Sequence, residues 1–181
     1  MFIAAEKRKN NIAEYILYMW QMENVVRGAQ FNVEVIEKSI VTQMALDANQ
    51  KEQEIAWFKD LISKMKDQRV ISTGHVLELR DLVLELSYLH NSLLNNVKDA
   101  KYGFTYNTAR SFIQELKKKQ EGGSNDEVEI CLNGLFAFWM LKASKKPVST
   151  DTANAMAAIS KLIAILSAKY KEMMGAVDVV L

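Results

Sequence analysis

"HVLELRDLVLELSYLHNSLLNNV", residues 75–97, decides the fold. Its apolar residues recur every three or four positions, not every second one, so the segment reads as helix. Leu79, Leu82, Leu86, Leu89, Leu93 and Val97 form one stripe. Leu77, Leu84 and Tyr88 form a second stripe on the opposite side. A helix apolar on two sides and polar between belongs in the centre of a bundle.

The rest of the chain repeats that pattern. One proline and seven glycines in 181 residues leave few breakers, and residues of high helix propensity recur throughout. Sustained two-residue alternation is missing; "QRVIST" and "VDVVL" are the most strand-like fragments, and both are short. A helix over about 11–28 carries Ile12, Ile16, Met19 and Val26 on one face, flanked by Tyr15 and Trp20. Asn32 is placed to cap the next helix, and "LDANQ" separates it from a third with the stripe Ile55, Phe58, Leu61, Ile62 and Met65. "RVISTGH" connects to the opening stretch, with Ser72 or Thr73 as cap. A helix over about 105–120 ends in "KKKQEGG", where lysines suit the negative helix end and glycine permits a left-handed exit. Ser124 to Glu127 resembles a capping box before "EICLNGLFAFWMLK", which is apolar nearly all round and reads as the deepest helix. After "KKPVST", a last helix carries Met156, Ile159, Leu162, Ile163, Leu166 and Tyr170. The expected fold is all-α: one domain over 1–181, a bundle of about seven mostly antiparallel helices, with a flexible loop near 120–126.

Composition narrows the function classes. The 23 basic and 22 acidic residues leave a net charge of +1, too little to draw in nucleic acid or an anionic membrane. The lysine clusters at 7–9, 117–119 and 142–146 are short and lack the interleaved aromatics of single-strand binders. The longest apolar run, "LFAFWML", falls far short of the ~20 residues that span a bilayer. With one cysteine, Cys131, no internal disulfide can form, and the residues point to a cytoplasmic protein. Nucleotide, nucleophile-elbow and metal-ligand motifs do not occur; His75 and His90, fifteen residues apart on one helix, lie ~22 Å apart, too far to share a metal. The expectation is no catalytic residue, no cofactor and no metal.

The residues out of place are polar ones on apolar faces. Glu23 sits in the middle of the face that Ile12, Ile16, Met19 and Val26 define, with Arg27 one turn on and Trp20 beside it. His90 lies on the apolar stripe between Leu86 and Leu93. An ionised carboxylate in an apolar setting is costly unless paired. Glu23, Arg27, His90 and Trp20 are therefore the candidate buried polar cluster, either structural or lining a small-ligand pocket. The last helix offers a second candidate. Ala153, Ala157, Ser160, Ala164 and Ala168 line one side, either as a close-packing face, within the chain or across a dimer, or as a plain solvent face.

Three stretches, "NIAEYILYMWQMENVVR", "GHVLELRDLVLELSYLH" and "EICLNGLFAFWMLK", in this order with the Lys-rich linker and last helix, resemble a bacterial family of small all-helical proteins catalogued as a domain of unknown function. The resemblance implies a cytosolic helical protein and carries no activity. The leading expectation is a non-enzymatic interaction or scaffold protein, either a homodimer or bound to an unknown protein partner. The alternatives are a small-molecule-binding or catalytic bundle with a pocket at Glu23, Arg27 and His90, and a nucleic-acid-associated regulator.

Overall fold

The computed structural model describes residues 1–119 and 123–177. Among these the chain is all-helical, with no strand. There are eight α-helices: α1 Phe2–Asn10, α2 Ile12–Gly28, α3 Val33–Ser39, α4 Ala48–Asp67, α5 Leu77–Asn91, α6 Ala100–Lys119, α7 Glu127–Ala143 and α8 Thr150–Val177. A 3₁₀ turn, Val41–Gln43, follows α3, and a π-turn, Ser92–Asn96, follows α5. The extra helix relative to expectation is α1. Of the loop expected near 120–126, residues 120–122 lie outside the described residues, as do 178–181 of "VDVVL".

Packing divides the chain into two compact units, Met1–Asn10 with Glu14–Asp81, and Asn11–Ala13 with the residues from Leu82 on. In the first unit α3, the 3₁₀ turn and α4 pack together. Asn32 caps α3 by accepting the Glu34 and Val35 amides at 2.9 and 3.4 Å. Asp47 and Gln50 form a reciprocal capping box on α4, which satisfies two of the orphan amides of a helix start. The expected α4 stripe is buried through Phe58, Leu61, Ile62 and Met65.

In the second unit α6, α7 and α8 pack pairwise, and the π-turn lies on α6. Gly134 brings α7 close to α6: a Cβ there would stand 2.7 Å from Leu116 Cδ1. The core stripe of α8, Met156 to Tyr170, is buried as its spacing requires. Cys131 is buried with it, and burial pushes its thiol up to about 12.

Two burial expectations need correction. The buried side of α5 runs Leu79, Leu82, Val83, Leu86, Ser87 and His90, one wide stripe of helical period. Val83, Ser87 and His90 widen that side until the second stripe faces away, and Leu77, Leu84 and Tyr88 are exposed. α7 is buried only in its first half, through Val128 to Gly134, while Trp139, Met140 and Leu141 are exposed. Apolar residues all round a helix do not bury it where no neighbour runs alongside.

Candidate functional site

Glu23 is fully buried in the first unit. Its Oε1 accepts the Val76 backbone N–H at 2.8 Å, and its Oε2 lies 2.5 Å from His75 Nδ1. Val76 immediately precedes α5, so the carboxylate meets the amide-rich, positive end of that helix, where negative charge is stabilised. Gln68 Oε1 accepts the next amide, Leu77 N–H, at 2.6 Å. Thus two residues distant in sequence take the place of the Ser72 or Thr73 cap. The His75 ring stacks on Trp20, with centroids 4.3 Å apart and planes 13° from parallel. Arg27 donates to the carbonyls of Val70 at 3.2 Å and Gly74 at 2.5 Å, and to Asn24 Oδ1 at 3.0 Å. Gly74 has φ +82°, a conformation glycine adopts without Cβ strain. Together Glu23, Trp20 and Arg27 of α2 clasp the connection between α4 and α5.

His90 belongs to the second unit. Its Nδ1 lies 2.7 Å from the buried Tyr102 hydroxyl, and its Nε2 lies 3.5 Å from Glu127 Oε2. The carboxylate accepts only, so the matching neutral tautomer has Nε2–H facing Glu127 and Nδ1 accepting from Tyr102. Glu127 also takes the Gln114 amide at 3.2 Å. Its carboxyl is held below its ordinary range, first by His90, then by Tyr106 and Arg110. Burial and the Glu127 carboxylate push the Tyr106 phenol up.

These groups open onto a shallow, solvent-open pocket of about 520 Å³. Its walls come from the end of α5, the π-turn, α6 and Glu127 of α7, and they carry Asn91, Asn95, Tyr106, Asn107 and Arg110 besides His90. The π-turn closes through the Val97 amide and Ser92 carbonyl at 2.9 Å. Such turns re-aim side chains and are frequent at functional sites. Arg110, Asn95 and Asn107 are exposed.

Residues 1–176 match the model of a family described as a domain of unknown function, DUF4924. The chain belongs to the DUF4924 family. No curated protein and no solved structure matches it. Among the described residues of this DUF4924 chain, no helix is long and apolar enough to cross a membrane.

The DUF4924 structure brings Glu23, Trp20 and Arg27 together at one connection and gives His90 a different set of neighbours in the second unit. The small-residue face of α8 is exposed at Ala157, Ser160, Ala164 and Ala168, and half-buried at Ala153. Sequence reasoning missed His75 as the partner of Glu23. It also missed Tyr106, Arg110 and Glu127 around His90. Glu127 was legible only as part of a helix start, yet Asp126 is the cap that accepts the Glu129 amide at 2.8 Å. Displacing Glu127 from the cap leaves its carboxylate to His90.

Proposed function

We propose that this protein binds a small polar ligand in the pocket of the second unit, without covalent chemistry on it. The observation that carries the reading is the convergence of a buried histidine, a half-buried carboxylate, an arginine and three asparagines on one open pocket. Convergent polar groups fix a ligand's orientation in such a site, and the predominance of polar groups here is what selects a polar ligand. The test is a ligand-observed NMR screen of polar metabolite-like compounds against the purified chain, repeated with Asn107→Trp. Asn107 is exposed at the pocket wall, so the indole fills the space without disturbing the core. Binders are expected for the native chain and lost in the variant at unchanged melting temperature. Identical binding by both proteins, or no binder at millimolar concentration, refutes the reading.

A second reading, association between copies of the chain, is favoured by the exposure of Leu84, Tyr88, Val97 and Phe104 in the same unit. Apolar surface of that kind marks interaction sites when it is contiguous. Sedimentation of the native chain and of Tyr88→Glu tests it: a dimer lost on substitution supports the reading, and a monomer in both cases ends it.

A further inference from the structure

We infer that the ligand of the His90 pocket is a small zwitterion of the α-amino-acid type, with its carboxylate on Arg110 and its ammonium towards Glu127. The inference rests on the pocket reading above and adds the charge pattern that selects among polar ligands. Two opposite charges share the pocket wall. Arg110 is exposed at the pocket, and its charge acts on the Glu127 carboxylate and the Tyr106 phenol. Its guanidinium is a planar fork of donors suited to a carboxylate. Asn95 and Asn107, on the same wall, have side chains without a hydrogen bond among the described residues, so their amides are available beside it.

Glu127 supplies the other pole. It is held ionised by His90 and Tyr106, and its side chain retains 24% exposure at the pocket. A simple anion drawn to Arg110 meets this carboxylate, and like charges in a partly desolvated site repel. A simple cation drawn to Glu127 meets Arg110. A molecule carrying both charges a few atoms apart satisfies both poles and discriminates against each single charge. Half-buried Leu94, in the π-turn, gives an apolar surface for a ligand side chain. The cavity leaves room for one well beyond a methyl group.

The test is a titration of the ¹⁵N-labelled full chain with L-alanine, L-leucine and L-glutamine, and separately with acetate and methylammonium. The expected result is saturable shifts at the backbone amides of Asn95, Asn107 and Arg110 with at least one amino acid. Both singly charged probes should bind at least tenfold more weakly. Arg110→Gln should raise the amino-acid Kd at least tenfold with little change in melting temperature, because Arg110 is exposed and contributes to the fold only through its charge on Glu127 and Tyr106. Glu127→Gln should raise it as well while improving acetate binding, a reversal that loss of structure cannot produce. Acetate binding as tightly as every amino acid, or an unchanged Kd in Arg110→Gln, overturns the inference. If neutral or singly charged compounds occupy the pocket and amino acids do not, the zwitterion falls and the pocket reading stands. If nothing binds, both fall.

Discussion

A carboxylate withdrawn from water needs compensation, and at Glu23 it comes from a helix start and an imidazole. Substitution should therefore separate the two. Glu23→Gln keeps an oxygen acceptor for the Val76 amide and should cost about 1–2 kcal/mol. Glu23→Leu strands that buried N–H and the His75 nitrogen and should cost about 2–4 kcal/mol. On a chain of this size each kcal/mol moves the melting temperature by about 2–4 °C. Equal melting temperatures for the native chain and both variants would remove the clasp as a stabilising element. Glu127 makes a different prediction, in pH. Its folded-state pKa lies below the ordinary value of 4.5, with His90 the first cause. The folded state thus binds its proton later than the unfolded state. The stabilisation is complete above about pH 4.5 and is lost as pH falls through the folded value. The groups facing it are His90, Tyr106, Arg110 and Gln114. Melting of the native chain and Glu127→Gln should converge in acid and separate towards neutrality; a constant gap at every pH would contradict the sign.

At the scale of elements, helix bodies follow from their sequences and helix ends do so only where the cap is local. Asn32 caps within three residues of itself and could be read directly; Asp47 and Ser149 also cap locally, inside the breaks "LDANQ" and "KKPVST". The start of α5 depends on Glu23 and Gln68, which no local pattern connects to it. Asp126 does two jobs: it caps α7, and its Oδ1 lies 2.8 Å from the Ser87 hydroxyl of α5. Asp126→Ala should cost about 1–2 kcal/mol, the upper part of the range for a lost cap, measured by urea unfolding. Gly134→Ala sets two effects against each other. Alanine gains about 0.5–1 kcal/mol of helix propensity. Its Cβ, however, collides with Leu116, and overpacking costs typically 1–3 kcal/mol. The net expectation is a destabilisation of about 1 kcal/mol. A higher urea midpoint would mean that Leu116 swings clear without loss.

For the molecule as a whole, fold class was legible and sidedness was not. Period and propensity identified every helix but α1, the main stripes of α4 and α8, and the α5 stripe through Leu79, Leu82 and Leu86; Leu89 is only half-buried, and Val97, expected at the end of that stripe, is exposed beyond the helix. They could not decide which apolar faces would find a neighbour, because burial depends on the packing of distant elements. Leu84 and Tyr88 on α5 and Trp139 on α7 are cases where the pattern asks for burial and the structure leaves exposure. The candidate site was half legible for the same reason. His90 and Glu23 stood out because a polar residue interrupts an apolar stripe, a signal carried within one helix. Their partners lie on other segments and carry no mark of the pairing.

Cys131 gives the molecule a built-in clock. Alkylating and disulfide reagents need a thiolate they can reach, and a thiol at 1% exposure with its acidity suppressed offers neither. Labelling must then wait for the first half of α7 to leave its seat. The rate of modification of the unaltered protein, compared with the urea-unfolded chain, becomes a direct readout of how often the second unit opens. A bound ligand that ties α7 to α6 through Glu127 and Arg110 should slow that clock in proportion to its occupancy, with no label added to the protein beforehand.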